Sequence, residues 1–153
     1  MLIATLALLA AQAQPADEGW ARFSAHRYLA HVEIDVAIGT MPGADKGDVV
    51  YWVRRSTRRP HQWVEVSSTD SVRCPAILTM LQSMRDLPAP RPTPPPPDNN
   101  DIVVTADGVG YELHAPVASP GMTVTLSSNT GTPLAAWVEQ SLAALGECLP
   151  PVL

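Results

Sequence analysis

In residues 30–39, AHVEIDVAIG, large apolar side chains occupy every second position from Val32 to Ile38. Successive side chains of a strand point to opposite faces of its sheet, so this period of two predicts a strand with one buried and one solvated face. Half-buried strands of this kind are typical of antiparallel sheets that are covered on one side only. The buried face is predicted to consist of Val32, Ile34, Val36 and Ile38, and the solvated face of His31, Glu33 and Asp35.

Two more strands are predicted after this segment. Residues 49–53, VVYWV, are β-branched or aromatic, which are the residue types favoured in strands. Val64 and Val66 alternate with polar residues within residues 61–67 and predict a third strand. The intervening residues 54–60, RRSTRRP, predict a charged bend between these two strands.

Two later stretches have apolar residues at spacings of three and four, and each predicts a helix packed on the sheet. Asp70 or Ser71 is predicted to cap the first helix, and Thr132 the second, with Pro133 in a first turn that tolerates proline. The first stripe consists of Cys74, Ile77, Leu78, Leu81 and Met84. The second stripe consists of Leu134, Val138, Leu142 and Leu145.

A proline-rich segment separates the two halves of the chain. Residues 88–100 contain seven prolines and predict a polyproline-like or disordered spacer. After it, residues 102–106 and 109–114 are predicted to form a hairpin across an Asp-Gly turn at 107–108, and residues 122–127 another strand. The predicted order is therefore βββα, spacer, βββα. It indicates an α+β two-layer sandwich, with a roughly six-stranded antiparallel sheet and both helices on one face.

The beginning of the chain predicts export. Residues 1–13, MLIATLALLAAQA, form a short apolar run that ends in a small-x-small cleavage pattern, as in a secretory signal peptide. Residues 14–153 are then expected to form a single α+β domain, periplasmic or extracellular, with no transmembrane segment. The net charge of −5 argues against nucleic acid as a partner, because such binding depends on neutralising phosphates.

The two cysteines, Cys74 and Cys148, are predicted to form a disulfide. In an oxidising compartment a lone pair of cysteines most simply pairs, and the absence of a CxxC spacing or a neighbouring histidine disfavours a metal or reactive-thiol site. Cys74 starts the first predicted helix and Cys148 ends the second. Antiparallel neighbouring helices would therefore bring the two residues together.

Sequence motifs for catalysis are absent. The chain contains no GxSxG, HExxH, P-loop or dinucleotide-binding glycine motif, and it predicts no catalytic residue, cofactor or metal. The best polar cluster is His31, Glu33 and Asp35, because alternate residues of a strand share a face and can converge on a polar ligand or cation. The alternative is an ordinary solvated strand face.

A second candidate site is the bend that contains Arg54, Arg55, Arg58 and Arg59. Guanidinium groups bind carboxylates, phosphates and anionic glycans, so this bend is a candidate anion site. The alternative is a charged hairpin tip that keeps the sheet edges unpaired. The four tryptophans are predicted to be core and interface anchors, not sugar platforms.

Residues 101–106, DIVVTA, follow the polar, proline-rich stretch. They resemble the TonB box of outer-membrane TonB-dependent receptors, an extended segment that adds as a strand to the energy-transducing protein TonB. The resemblance covers six residues, and the segment is not near the mature N-terminus as it is in that family. It implies strand addition through Ile102, Val103, Val104, Thr105 and Ala106. The alternative is an ordinary strand of the predicted hairpin.

The leader, the predicted disulfide and the missing catalytic motifs together predict an exported, non-catalytic binding or envelope-associated accessory protein. Its partner is expected to be an unidentified envelope protein or an anionic ligand. One alternative is a small exported hydrolase whose site forms only in three dimensions. Another is partner binding by strand addition through residues 102–106.

Overall fold

The computed structural model describes residues 19–90, 108–117 and 121–149. Its six strands form one antiparallel sheet of order β4-β3-β2-β1-β5-β6. The strands are β1 (Ala21–Arg27), β2 (Val32–Pro42), β3 (Val49–Arg58), β4 (Glu65–Asp70), β5 (Val109–Pro116) and β6 (Thr123–Asn129). The helices are α1 (Ala76–Arg85) and α2 (Pro133–Cys148). Neither described helix combines the length and apolar character needed to cross a membrane.

This architecture confirms the predicted α+β sandwich, but the strands are distributed differently along the chain. Among the described residues, four strands precede α1 and two lie between α1 and α2. β1 was not predicted from the sequence, because Phe23 is the only large apolar residue among the buried positions Ala21, Phe23 and Ala25. When the buried side chains are small, the alternation of apolar and polar residues is hard to recognise in the sequence, even for a central strand.

The hairpin predicted across residues 107–108 is wrong. β5 pairs with β1 along one edge and with β6 along the other, so neither edge of β5 remains for a hairpin partner. Residues 102–106 themselves lie outside the described residues, as do the leader 1–13 and residues 91–100 of the predicted spacer. Strand addition, export and the spacer therefore stay predictions.

The core lies between one face of the sheet and the two helices. α2 contacts β1, β5 and β6, whereas α1 contacts β3 and α2. Phe23 of β1 and Trp137 of α2 meet edge to face with ring centroids 5.0 Å apart. The indole Nε1 of Trp137 donates to Ser83 Oγ at 3.1 Å and so joins the helices. Burial of each large apolar side chain here stabilises the fold by about 1.5–3 kcal/mol.

The predicted N-terminal cap is confirmed for α2 and is wrong for α1. Thr132 caps α2 as predicted, because its hydroxyl accepts a hydrogen bond from the Ala135 N–H at 3.1 Å. α1 has no side-chain cap at Pro75, and the Asp70 carboxylate instead accepts from the amides of Val72 and Arg73. Asp70 thus closes the turn before the helix.

The predicted disulfide between Cys74 and Cys148 is confirmed, with Cα atoms 5.7 Å apart. It joins the segment before α1 to the last residue of α2. Trp137 is buried in the core, as predicted. Trp63 is 95% exposed, and Trp52 lies on the face of the sheet opposite the helices.

Candidate functional site

Neither α1 nor α2 covers the second face of the sheet, and we call this face the open face. Alternation along each strand places polar side chains there, while their neighbours in sequence face the helices. A concave region of about 690 Å³ lies at its centre. The charged and polar side chains that line this central concavity are Arg22, Ser24, His26, Asp35, Arg54, Ser56, Glu112 and His114.

One row of side chains crosses the open face at Ala37. Arg54 of β3 and Arg22 of β1 are both paired in register with Ala37 of β2, and His114 of β5 follows next to Arg22. We call these four residues the guanidinium row. The methyl group of Ala37 leaves space between the two arginine side chains. His114 Nδ1 lies 3.0 Å from the hydroxyl of Thr125.

A second row runs parallel to the first, two residues further along each strand. Here hydroxyl and carboxylate groups alternate from strand to strand, and we call this the carboxylate row. In spatial order it consists of Ser56, Asp35, Ser24, Glu112 and Ser127.

Three of the charged side chains on the open face form no ion pair with a described residue, whereas a fourth, at one end of the face, does. Arg22, Asp35 and Glu112 take part in no ion pair with another described residue. At one end of the face, Arg58 is paired with Glu33 at 3.1 Å.

The predicted cluster of His31, Glu33 and Asp35 is only partly assembled. Glu33 and Asp35 do share the open face, but β2 begins at Val32, and His31 lies outside it in a left-handed conformation with φ 50°. Asp35 lines the central concavity, whereas His31 and Glu33 line a neighbouring one of about 580 Å³. His31 and Glu33 therefore lie together, apart from Asp35.

The predicted arginine bend is wrong, because β3 continues to Arg58. Alternation then separates Arg54, on the open face, from Arg55, on the helix face. Arg55 Nη2 donates to the carbonyl of Leu149 at 3.1 Å, and Arg59 beyond the strand is paired with Glu65 at 2.8 Å. Of the four arginines, only Arg54 lines the central concavity.

Arg22, Ser24 and Ser56 were not predicted as site residues, although the sequence contains a signal for them. Residues 20–26, WARFSAH, and residues 52–58, WVRRSTR, share the pattern Trp-x-Arg-x-Ser. Both β1 and β3 run antiparallel to β2, so the two copies lie in the same direction and in register on either side of it. The repeat thus builds two matching columns of side chains around Ala37 and Asp35.

The described residues contain no group of three or more His, Cys, Asp or Glu side chains placed to hold a metal ion. His26 Nε2 lies 3.2 Å from Ser24 Oγ, and both residues line the central concavity. Comparison with known proteins gives no match: no family model, no curated protein sequence and no solved structure is significantly similar to this chain.

Proposed function

We propose that this protein is an exported, non-catalytic binding protein that holds an anionic, hydroxyl-bearing ligand on the open face. The observation that carries the proposal is the position of Arg22 and Arg54 on either side of Ala37. Two guanidinium groups that flank a small residue offer bidentate hydrogen bonds to a carboxylate or phosphate seated between them.

The neighbouring carboxylate row defines the rest of the ligand. Asp35 and Glu112 accept hydrogen bonds, so they favour a molecule that donates hydroxyl or amine protons beside its anionic group. A purely anionic ligand would be repelled by these two side chains. A ligand that combines a carboxylate with hydroxyl groups, such as a sugar acid, satisfies both rows at once.

Export supports the same conclusion on different grounds. The Cys74–Cys148 disulfide is the kind of bond that persists in oxidising compartments, and the sequence of residues 1–13 has the pattern of a cleaved leader. A binding protein in such a compartment meets envelope or extracellular molecules. This makes an envelope protein that carries glycans, or a free anionic glycan, the expected partner.

The binding proposal is tested with glucuronate as the probe and glucose as its neutral counterpart. In two-dimensional NMR titrations, glucuronate should shift the amide resonances of β1, β2 and β3 around Ala37, and glucose should do so far less. Arg22→Ala should abolish the shifts. Arg85→Ala, which removes the same charge from the end of α1, should not change them. Equal responses to both sugars would contradict the proposal.

A small exported hydrolase is the second candidate, favoured by the contact of Ser24 Oγ with His26 Nε2 at 3.2 Å. A hydroxyl within reach of an imidazole is the arrangement of an activated nucleophile and its base. Among the described residues, no carboxylate makes a hydrogen bond to the imidazole of His26, so the group that orients the base in a triad is missing from this part of the chain. Hydrolysis of p-nitrophenyl acetate that is lost in Ser24→Ala would favour the enzyme over the binding protein.

A further inference from the structure

The two outer edges of the sheet differ in chemistry. β4 lies at one edge, and its sequence EVSSTD begins and ends with a carboxylate. β6 lies at the other edge, and its sequence TVTLSSN contains no charged residue and no proline. The register of β6 with β5 is continuous from Thr123 to Asn129, so the strand has no bulge. Charges, prolines and bulges are the features that keep edge strands from pairing with other strands, and β6 lacks all three.

One hydrogen bond identifies the main-chain groups of β6 that point away from β5. The amide of Val117 donates to the carbonyl of Met122 at 3.1 Å, so these two residues form a hydrogen-bonded pair of the β5–β6 ladder. Hydrogen-bonded and non-hydrogen-bonded pairs alternate along an antiparallel ladder. Every second residue of β6 therefore turns its N–H and C=O groups to the outer edge, and these residues are Thr123, Thr125, Ser127 and Asn129. None of the described strands pairs with them there.

The same edge also exposes apolar side chains on the helix side of the sheet. Val124 and Leu126 are paired with the buried residues Ala115 and Leu113, so they face the helices, yet both are only partly buried. Met122, two residues before Val124, is 58% exposed. Another strand added at this edge would pair with the outward main-chain groups and would cover these apolar side chains.

We propose that two copies of this protein pair through β6, so that two six-stranded sheets become one antiparallel sheet of twelve strands. The partner is a second copy because β6 is complementary to itself in one register. With Leu126 opposite Leu126 of the second copy, Thr125 pairs with Ser127 and Thr123 with Asn129. Every outward N–H and C=O group then has a partner. A shift of two residues in either direction leaves one of these four residues in each copy without a strand partner.

This register also brings the apolar side chains of the two copies together. Leu126 occupies a non-hydrogen-bonded position, where opposite Cα atoms lie about 4.5 Å apart and side chains are closest. The two Leu126 side chains therefore cover each other at the two-fold axis, as expected for an interface made from the same surface on both copies. The axis is perpendicular to the sheet, so the helices of both copies lie on one side. Both open faces then point in the same direction.

The oligomeric state of the full chain, expressed in a secretion-competent host, tests the proposal. Sedimentation velocity should show a dimer that dissociates on dilution. Ser127→Pro removes one outward N–H from each copy and keeps the bonds of β6 to β5, so the dimer dissociation constant should rise by about tenfold or more. Near-UV circular dichroism should stay native.

Ser68→Pro is the matched control at the opposite edge of the sheet. The amide of Ser71 donates to the carbonyl of Tyr51 at 2.8 Å, and the β3–β4 register then places the N–H of Ser68 on the outer edge of β4. This variant introduces the same proline at an equivalent position of an edge strand. It should leave the dimer dissociation constant unchanged.

Cysteine substitutions test the register. Leu126→Cys places two thiols opposite each other at the two-fold axis, within the Cα separation that a disulfide spans. Mild oxidation should convert this variant to a cross-linked dimer in non-reducing electrophoresis. Val124→Cys is the control, because its opposite residue in this register is Ser128, and the two new thiols lie about 14 Å apart along the strands.

The outcomes separate self-pairing of β6 from other contacts. A monomer at every concentration would overturn the proposal, and so would a dimer that Ser127→Pro leaves unchanged. Val104→Pro tests whether residues 102–106 of a second copy bind to this edge instead. The dimer should survive that substitution, and its loss would overturn self-pairing in favour of that segment. Cross-linking of Val124→Cys but not of Leu126→Cys would overturn the register and, with it, the argument for a second copy.

Discussion

The indole of Trp52 lies directly on the backbone of Gly39, its cross-strand partner on the open face. A Cβ atom at residue 39 would lie 2.0 Å from both Cε2 and Cζ2 of the ring. The strand therefore requires a glycine here for close approach. The indole covers the backbone that a glycine leaves bare, and it continues the column of β3 that contains Arg54 and Ser56.

Gly39→Ala should displace this indole and destabilise the protein by about 1–3 kcal/mol, the typical effect of an added methyl group in a packed site. Urea unfolding followed by tryptophan fluorescence measures the change. Gly146→Ala is the matched control, because an added Cβ on this helical glycine meets nothing within 4 Å. That control should raise stability by about 0.5–1 kcal/mol. Equal stability of Gly39→Ala and wild type would contradict the steric argument.

Removal of the disulfide should lower stability without unfolding the protein. The bond closes a loop with a sequence separation of 74 residues, and Cys74→Ala should cost about 2–4 kcal/mol, mainly through the greater freedom of the unfolded chain. Cys148→Ala and the double variant should show the same loss, since all three remove one bond. Thermal unfolding measures it, and far-UV circular dichroism should stay native. Additive losses in the double variant would contradict this account.

Arg55 should stabilise the end of α2, although its sequence neighbours suggested a charged bend. Its guanidinium donates to the carbonyl of Leu149, the residue that follows the helix, at 3.1 Å. Arg55→Met keeps much of the aliphatic stem and removes the donor, so stability should fall by about 1–2 kcal/mol. Arg85→Met, at an exposed helix end, should change stability by less than about 0.5 kcal/mol. Chemical unfolding of both variants compares them, and equal losses would show that Arg55 contributes only general charge.

The sequence predicted the strands and helices in which the spacing of large apolar side chains marks one buried face. Val36 and Ile38 occupy alternate positions of one strand, and Val138 and Leu145 recur at helical spacing, so their elements were predicted with the correct buried faces. β1 was missed because its buried positions include two alanines. In α1 the stripe was partly wrong, since Leu78 is half exposed while Met80 is buried.

The candidate site was harder to predict than the fold, because it depends on which strands become neighbours. Glu33 and Asp35 were placed on one face correctly, as the period of two requires. Arg22 belongs to a strand that was not predicted, and its position beside Ala37 follows only from the pairing of β1 with β2. The order of the strands in the sheet brings Glu112 and His114 to the same concavity. Sequence periodicity does not predict this order.

Export remains a prediction, and it can be tested by direct measurement of the N-terminus. Expression of the full chain in a secretion-competent host, followed by intact mass spectrometry of the envelope fraction, should show an N-terminus at or close to Gln14. Replacing Leu6 and Leu8 by arginine interrupts the apolar run of the leader and should leave uncleaved protein in the cytoplasm. The intact Met1 form in soluble cytoplasmic extract of the unmodified chain would contradict the leader.

The last prediction concerns the two halves of the chain, which contribute to one sheet. β5 pairs with β1 over the register from Arg22↔His114 to Arg27↔Val109, and Trp137 packs on Phe23 across the same boundary. A specific protease site inserted within residues 91–100 of Ser127→Pro, which lacks the proposed pairing through β6, should therefore be cleavable without loss of the native near-UV circular dichroism. The disulfide keeps the cut protein a single covalent species, so its thermal midpoint should not depend on protein concentration. After reduction, the same protein becomes a two-fragment complex, and its midpoint should rise with concentration because dissociation accompanies unfolding. Cut protein that loses its near-UV signal while the disulfide is intact would show that the halves need the continuous chain. A concentration-independent midpoint after reduction would show that one half folds alone.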